Sequence, residues 1–319
     1  MITTVTANPS LDRTMRVAAL VRGEVHRAGS VLIEPSGKGV NVALTLHAAG
    51  CPAVAVLPVG GAGGRQLTDL LADSGVAVRT VPVSGEVRSN ISVIETDGTT
   101  TKFNAPGAVL TPQEVAAVIA AAQDAGAPGQ WLAWCGSLPG GFAESTLADA
   151  VAQGRSSGLL VALDSSGSAL ATVLRGSPEA LPHLIKPNAE ELSALVGRPL
   201  RTVGAVAAAA RDLVATGVQT VLVSMGGDGA VLVQADTAYY GRADASRVVN
   251  TAGAGDAFLA GYLAAAQRTA PERLQQALRY GAAAVAQPGT LLTDPPTGPA
   301  PVGSVVIDEL AAHQDRPIH

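Results

Sequence analysis

The stretch Asn250-Thr-Ala-Gly-Ala-Gly-Asp-Ala-Phe-Leu-Ala-Gly261 carries the clearest structural and chemical signal in this sequence. Two glycines, Gly253 and Gly255, precede Asp256, and the apolar residues that follow predict a buried helix. A helix N-terminus presents unpaired N–H groups and a partial positive charge, which favour a bound phosphate. Glycines let the backbone approach such an anion closely. An aspartate here would repel phosphate unless it takes a proton from a hydroxyl that attacks the phosphate. The stretch therefore predicts phosphoryl transfer to an alcohol.

The composition predicts a globular protein, and the lack of a secretion signal and of a membrane-spanning stretch predicts the cytoplasm. The chain has 319 residues, 47% hydrophobic and 3% aromatic, which is sufficient for a core of small aliphatic side chains. A formal net charge of −5 without a long basic run argues against nucleic acid as a partner. The sequence has no membrane-spanning apolar stretch and no N-terminal secretion signal, so we expect no membrane partner. Two cysteines, Cys51 and Cys135, are too few for a disulfide framework or a thiolate metal site.

Short apolar runs alternate with longer helical patterns, which is typical of βαβ units and a mostly parallel sheet. The predicted strands cover residues 2–7, 54–58, 131–135, 159–164, 183–186 and 220–224. The predicted helices cover residues 42–49, 67–74, 112–125, 145–153, 168–175, 203–215, 256–266 and 271–286. We therefore expect an α/β fold in which residues 1–319 form a single domain.

Residues 13–35 and 80–105 do not fit this alternation, because they are strand-rich and contain no helical pattern. Their apolar and polar residues alternate more than those of a buried parallel strand. We expect them to form one small sheet, inserted in the α/β core, that acts as a lid. Such a sheet is marginally stable alone, so we expect a homodimer that pairs through it. Residues 293–301, rich in Pro and Gly, are expected to form a surface loop.

Polar clusters follow several predicted strands, where ligands bind in doubly wound sheets. Asp12 follows the first strand and is either part of a turn cap or a ligand of a sugar hydroxyl. Lys38 stands between two glycines before a helix and is a candidate anion contact, although its loop is not a Walker A motif. Arg88 and Asn90 share one face of a lid strand because they are two residues apart. The alternative for Arg88 is a solvated charge.

Three further segments have both a structural and a functional interpretation. Asn188 and Glu191 lie three apart on one helix face, where they either cap the helix or hold a Mg²⁺–water–phosphate cluster. Residues 224–230 are either a glycine hairpin or a flat surface for nucleotide phosphate or ribose. Residues 60–64 are only weakly similar to a dinucleotide fingerprint, since no acid for the ribose follows at the required distance.

The order of these segments along the chain resembles the ribokinase-like (PfkB) carbohydrate kinases. The similarity covers roughly residues 1–292. It rests on Asn8-Pro-Ser-Leu-Asp12, Gly37-Lys-Gly-Val-Asn41, Gly136-Ser-Leu-Pro139, Asp164-Ser-Ser166, Lys186-Pro-Asn-Ala-Glu-Glu191, Ser224-Met-Gly-Gly-Asp-Gly229 and Thr251-Ala-Gly-Ala-Gly-Asp256. The resemblance implies a three-layer α/β/α Rossmann-like core, a small β lid often shared between two subunits, and a kinase that uses ATP and Mg²⁺.

The resemblance also implies a role for individual residues. Asp256 would be the catalytic base, and the N–H groups of Gly253, Ala254 and Gly255 would stabilise the transferring phosphoryl group. Glu191, together with Asn188, would hold Mg²⁺ through water. The sugar phosphate would be bound by Asp12, Gly37, Lys38, Asn41, Arg88, Asn90 and Ser137. The nucleotide would be bound by Lys186, Asn188, Ser224, Gly226, Gly229 and Thr251, with part of the adenine pocket around residues 283–289.

Within that family the sequence is most similar to the branch that phosphorylates sugar phosphates. Lys38 resembles the members that act on fructose 1-phosphate or tagatose 6-phosphate, whereas residues 33–35 and 58–64 look more like those that act on fructose 6-phosphate. We expect phosphorylation of fructose 1-phosphate to fructose 1,6-bisphosphate, with Lys38 and Arg88 neutralising the sugar's own phosphate. The other two sugar phosphates are alternatives within the family. A binding protein without chemistry and an NAD-dependent oxidoreductase are alternatives outside the kinases.

Overall fold

A large sheet of ten strands forms the centre of the fold. The structure is a computed structural model and describes residues 1–245, 247–287, 289–296 and 305–319. In spatial order the strands are β14 (Val305–Glu309), β13 (Ala238–Ala243), β12 (Ala230–Val233), β11 (Thr220–Ser224), β10 (Leu184–Ile185), β9 (Leu160–Asp164), β8 (Trp131–Cys135), β1 (Ile2–Thr6), β4 (Ala53–Val59) and β5 (Ala77–Pro82). Every neighbouring pair from β11 to β5 is parallel, and β12, β13 and β14 continue the sheet antiparallel.

Helices cover both faces of this sheet because its strands bury side chains on both sides. In β8, Leu132 and Trp134 belong to one apolar cluster, and Ala133 and Cys135 belong to the other. The first cluster is covered by α3 (Pro112–Asp124), α4 (Glu144–Ser156), α5 (Gly167–Val173), α6 (Ala189–Val196) and α7 (Val203–Ala215). The second is covered by α1 (Lys38–Ala48), α2 (Gly61–Ser74), α8 (Ala254–Ala264) and α9 (Ala270–Ala284). The expected α/β/α class with a mostly parallel sheet is confirmed.

A second, four-stranded sheet has one polar and one apolar face. Its strands are β3 (Ser30–Ser36), β2 (Ser10–Arg16), β6 (Arg88–Ile94) and β7 (Thr100–Phe103), of which β2 and β6 pair in parallel. The register places Asp12, Glu34 and Asn90 side by side on one face. Residues on the opposite face include Met15, Val31, Ile33, Ile91, Val93 and Phe103. Residues 80–82, which we expected in this sheet, belong to β5 of the large sheet.

The predicted strands agree with the observed ones to within one residue at each end, but two helices begin at least four residues earlier than predicted. Helix α1 begins at Lys38 and α2 at Gly61. The glycines of α2 disfavour a helix locally. The carboxylate of Glu86 compensates, because it accepts hydrogen bonds from the N–H groups of Ala62 (3.2 Å) and Gly63 in the first turn.

Two sequence-based expectations concern the surface and the membrane. Residues 293–296 form neither helix nor strand, and residues 297–301 of the expected loop lie outside the described residues. Across the described ranges, none of the helices has both the length and the apolar character needed to cross a bilayer.

Candidate active site

The turn that precedes α8 can be formed only with glycine at position 253. Gly253 is the N-cap of α8 and has a φ of 79°, in the left-handed region. A Cβ added there would lie 1.9 Å from the carbonyl oxygen of Thr290. The N–H of Ala254 is directed at the carbonyl oxygen of Thr251, at 3.4 Å. Residues 253–255 were predicted to bind the transferring phosphoryl group, and we call them the anion-binding turn.

Asp256 follows this turn in the first turn of α8 and is buried. Its Oδ2 accepts a hydrogen bond of 2.8 Å from Nδ2 of Asn41, which lies in the first turn of α1. Gly37, whose φ is 124°, is the N-cap of that helix. Burial, reinforced by the negative charge of Asp164, raises the pKa of Asp256 to about 6, although Asn41 and two lysines oppose the shift. Asp256 is therefore ionised at neutral pH and still basic enough to take a proton.

Asp164, at the end of β9, binds two lysines at once. Its Oδ1 lies 2.9 Å from Nζ of Lys38, and its Oδ2 lies 3.1 Å from Nζ of Lys186. Burial opposes the charge of Asp164, but the two ammonium groups hold its pKa below the ordinary value. The Lys38 side chain is 36% exposed and the Lys186 side chain 5%, so Lys38 is the more accessible cation.

The same pair of lysines lies beside the anion-binding turn. Nζ of Lys186 is 3.6 Å from the position that a Cβ would take on Gly255. The charge of Asp256 also contributes to the raised pKa of Lys38, after the larger effect of Asp164. Asp164 thus brings Lys38 and Lys186 to the end of the site that contains Asp256. No individual role for Asp164 followed from the sequence motifs. Its position at the carboxyl end of a buried strand, where ligands bind in such sheets, could have identified it as a site residue.

Asp12 is the centre of a polar network on the small sheet. Its Oδ1 accepts hydrogen bonds from Nδ2 of Asn90 (2.9 Å) and Oγ of Ser10 (3.1 Å). Its Oδ2 accepts one from Oγ of Ser36 (2.8 Å). The β2–β6 register explains the contact with Asn90, which lies directly opposite Asp12.

Arg88 and Ser137 are linked through Asn8. Arg88 donates from Nη1 to the carbonyl oxygen of Ala105 (2.7 Å) and from Nη2 to that of Asn8 (3.3 Å). Nδ2 of Asn8 in turn donates to Oγ of Ser137 (3.3 Å). The two cations expected to share the sugar's phosphate therefore have different surroundings: Lys38 binds Asp164, and Arg88 binds the backbone near Asn8.

Asn188 and Glu191 cap helix α6 in this structure. The N–H of Glu191 donates to Oδ1 of Asn188 (2.8 Å), and the N–H of Asn188 donates to Oε2 of Glu191 (2.9 Å). This reciprocal pair is a capping box, as the structural interpretation of the segment predicts. In the described part of the chain, no group of three or more His, Cys, Asp and Glu could hold a metal ion.

The other residues expected to bind the nucleotide lie near this helix or near the turn before α8. Ser224 forms a parallel bridge with Asn188 and ends β11. Gly226 and Gly229 lie in the connection to the antiparallel strand β12, so the predicted hairpin is observed. The carbonyl oxygen of Thr251 accepts from Ala254, as described above. Of the stretch 283–289, expected near the adenine, residue 288 lies outside the described residues.

Comparison with known families gives the family of this chain. A family model described as pfkB family carbohydrate kinase matches residues 5–296. The chain belongs to this pfkB family. As a pfkB carbohydrate kinase it is a phosphotransferase, which confirms the expected kinase class against the NAD-dependent oxidoreductase.

Relatives with established names are similar over most of their length. The chain is 39% identical over 286 residues to the 1-phosphofructokinase of Xanthomonas campestris pv. campestris, which covers 88% of each chain. It is 36% identical over 267 residues to the 1-phosphofructokinase of Rhodobacter capsulatus, with 83% of each chain covered. Among solved structures, phosphofructokinase-2 from Escherichia coli in complex with fructose-6-phosphate has a TM-score of 0.84 and 31% identity, over 89% of this chain and 93% of that chain.

Proposed function

We propose that this pfkB kinase transfers the γ-phosphoryl group of ATP to fructose 1-phosphate and forms fructose 1,6-bisphosphate. The observation that carries the proposal is the buried carboxyl of Asp256, hydrogen-bonded to Asn41 beside the anion-binding turn. The similarity to proteins named 1-phosphofructokinase supports the choice of sugar.

In this proposal Asp256 is the general base for the attacking hydroxyl. The Asn41 amide holds Oδ2, so Oδ1 is the oxygen that accepts the hydroxyl proton. A base with a pKa of about 6 is ionised at the pH of the reaction and close to the best balance between charge and basicity. The N–H groups of Gly253, Ala254 and Gly255 stabilise the negative charge that develops on the transferring phosphoryl group, and the N–H of Ala254 gives up its long contact of 3.4 Å with the Thr251 carbonyl oxygen to do so.

The positions of the cations modify the roles inferred from the sequence. Lys38 and Lys186, held by Asp164 beside Gly255, neutralise charge at the phosphoryl-transfer end. Arg88, together with Ser137, binds the phosphate that the sugar already carries, since guanidinium N–H groups suit a phosphate. Asp12 and Asn90 orient the sugar hydroxyls, and Gly37, where a Cβ would lie 2.5 Å from Cγ2 of Thr6, lets the loop before α1 pack closely beside them. The small sheet that carries Asp12 closes over the sugar as a lid and excludes water.

The oxygens of Asn188 and Glu191 fit a Mg²⁺ ion bound through water. Each oxygen that accepts an N–H keeps a further lone pair, so the capping box does not exhaust the two side chains. Two protein oxygens suit Mg²⁺, which retains water and takes its remaining ligands from phosphate. When bound there, the ion would neutralise charge on the ATP phosphates. Ser224, Gly226, Gly229 and Thr251 complete the nucleotide site.

A coupled assay with four sugars tests the proposed function. We expect the highest kcat/KM with fructose 1-phosphate, and a value on the order of 100-fold lower with unphosphorylated fructose, because charge-assisted hydrogen bonds to Arg88 are lost. Fructose 6-phosphate and tagatose 6-phosphate complete the comparison. The second candidate, a 6-phosphofructokinase, is favoured by the similarity to the structure with fructose-6-phosphate. Highest activity with that sugar would replace the first candidate by the second.

The pH dependence of kcat/KM tests the role of Asp256. Protonated Asp256 cannot accept the hydroxyl proton, so we expect kcat/KM to fall as the pH decreases through about 6. The Asn41 hydrogen bond lowers the pKa of Asp256, and Asn41→Ala should therefore move this acidic limb to higher pH. A limb that stays in place or moves to lower pH in Asn41→Ala would contradict the assignment.

We also propose that the chain forms a homodimer through the apolar face of the small sheet. Val31 is 52% exposed and Phe103 55% exposed on that face, which is the area a second copy would cover. Phosphofructokinase-2 from Escherichia coli, a relative with 32% identity, has been solved in a tetrameric inhibited form.

Charge on this face should dissociate the dimer. For Phe103→Asp we expect light scattering after size exclusion to give the mass of a monomer at a concentration at which the unmodified chain is a dimer. Val306→Asp, at an equally exposed valine of β14 outside the small sheet, is the matched control and should remain dimeric. A monomeric unmodified chain would contradict the proposal.

A further inference from the structure

Glu34 joins the small sheet to a segment of the core. It lies opposite Asp12 in the β2–β3 register, on the polar face of the sheet. Its Oε1 is 2.7 Å from the position that a Cβ would take on Gly289, and the backbone of Thr290 favours the ionised form of its carboxyl, which opposes the rise of its pKa. Its Oε2 is buried without a hydrogen-bond partner among the described residues. A buried carboxylate oxygen without a hydrogen-bond partner lowers the stability of the folded state. Glu34 is therefore held against Gly289 and Thr290 at a cost in stability.

The segment that Glu34 contacts lies directly against the anion-binding turn. The Thr290 carbonyl oxygen occupies the space where a Cβ of Gly253 would be, at 1.9 Å. Nδ2 of Asn250 donates to the carbonyl oxygen of Gly289 (3.1 Å), and Oδ1 of Asn250 accepts from the N–H of Ala252 (3.0 Å). A displacement of residues 289–290 must therefore displace the turn, because no space separates them.

We propose that Glu34 is a positioning residue through which the small sheet sets the geometry of the anion-binding turn. It acts through Gly289 and Thr290 and does not touch the reacting atoms. The inference rests on the proposed phosphoryl transfer at residues 253–256. Transition-state stabilisation by backbone N–H groups depends on their exact placement, so the position of the small sheet controls the rate of transfer.

The carboxylate of Asp12, opposite Glu34 in the sheet, links sugar binding to the contact between Glu34 and Thr290. Burial raises the pKa of Glu34, and the charge of Asp12 raises it further, while the Thr290 hydrogen bond opposes the shift. A sugar hydroxyl that donates to Asp12 disperses the charge of Asp12 and weakens this repulsion. Less repulsion favours the ionised form of Glu34, which is the form that the Thr290 backbone stabilises. Sugar binding to the small sheet therefore strengthens the contact that holds the anion-binding turn in position.

A double-mutant cycle between Glu34 and Gly289 tests the proposal. Gly289 is outside the left-handed region, so its backbone accepts alanine, and the three atoms nearest to the added methyl group all belong to the Glu34 carboxylate. We expect Gly289→Ala to lower kcat by about tenfold, because the methyl group pushes the Glu34 carboxylate away from the segment under the turn. When Glu34→Ala is already present, Gly289→Ala should lower kcat by less than about twofold further, as expected for coupled neighbours.

Two further variants separate positioning from stability. Glu34→Gln keeps the size of the side chain and removes its charge, and should lower kcat by about tenfold with the KM for ATP and the melting temperature nearly unchanged. Glu24→Gln, in the exposed connection between β2 and β3, is the matched control and should keep the kcat of the unmodified chain. Glu34→Gln remains decisive if Gly289→Ala does not fold.

Some outcomes would overturn the inference. If Glu34→Gln and Glu34→Ala keep the unmodified kcat, or if the losses from Glu34→Ala and Gly289→Ala simply multiply, Glu34 does not position the turn. A loss of kcat that only follows a loss of melting temperature would show a purely structural contact. If the unmodified chain phosphorylates none of the four sugars, the proposed function fails instead, and the two failures are distinguishable.

Discussion

Asp256→Asn should lower kcat by on the order of 10³-fold, the largest effect of any single substitution considered. Asparagine keeps an oxygen that can accept the Asn41 hydrogen bond, but it cannot take a proton from the sugar hydroxyl. The affinity for ATP should change little, because the two lysines and the anion-binding turn remain in place. Steady-state kinetics and ATP titration measure the two quantities. Near-normal turnover would remove Asp256 as the base.

The same variant should be more stable than the unmodified chain at neutral pH. The pKa of Asp256 is raised from 3.8 to about 6 by folding, so its favourable contribution to stability is complete below pH 3.8 and is lost as the pH rises through about 6. We expect Asp256→Asn to melt at a higher temperature at pH 7.5, with a smaller difference at pH 4.5. Asp69→Asn, at an exposed position of α2, is the control. A lower melting temperature at pH 7.5 would contradict the raised pKa.

Gly253→Ala should have the second-largest effect, a loss of kcat of about 10²- to 10³-fold with a lower melting temperature. The added Cβ would lie 1.9 Å from the Thr290 carbonyl oxygen, so the anion-binding turn must move and its N–H groups lose their alignment. The left-handed φ of 79° adds backbone strain of about 1–2 kcal/mol.

A second glycine separates the two causes. Gly197 has a φ of 68° and no heavy atom within 4 Å of an added Cβ, so Gly197→Ala has the strain without the clash. We expect it to lower the melting temperature slightly and leave kcat unchanged. If Gly253→Ala retains kcat within a few-fold of the unmodified chain, the turn does not stabilise the transferring group.

The sequence alone predicted the layers of the fold and the residues at the ends of its strands. Strands such as β8 and β11 were predicted with their observed bounds, because runs of apolar residues bounded by turn residues report burial directly. The helix that begins beside Asp256 was predicted from the apolar run after the two glycines. These signals depend only on neighbours along the chain.

The partners of the site residues required the tertiary structure. Asn41 and Asp256 are 215 residues apart, and Lys38 and Asp164 are 126 apart, so no local pattern relates them. Lys38 was predicted to contact the sugar's phosphate, which stays a prediction; the order of strands in the sheet places Lys38 beside Asp164. The early start of α2 likewise depends on Glu86, which lies 24 residues beyond the N–H group of Ala62 that it binds.

The sequence by itself therefore determined an α/β fold with an acid after a glycine turn, because periodicity and turn chemistry are local, and the order of its motifs gave the resemblance to the kinase family. Only the tertiary structure decided which charges meet at that turn, and that Glu34 of the small sheet rests against the segment beneath it. The physical reason is that buried charges are stabilised by partners close in space, and the order of the strands determines which residues those are.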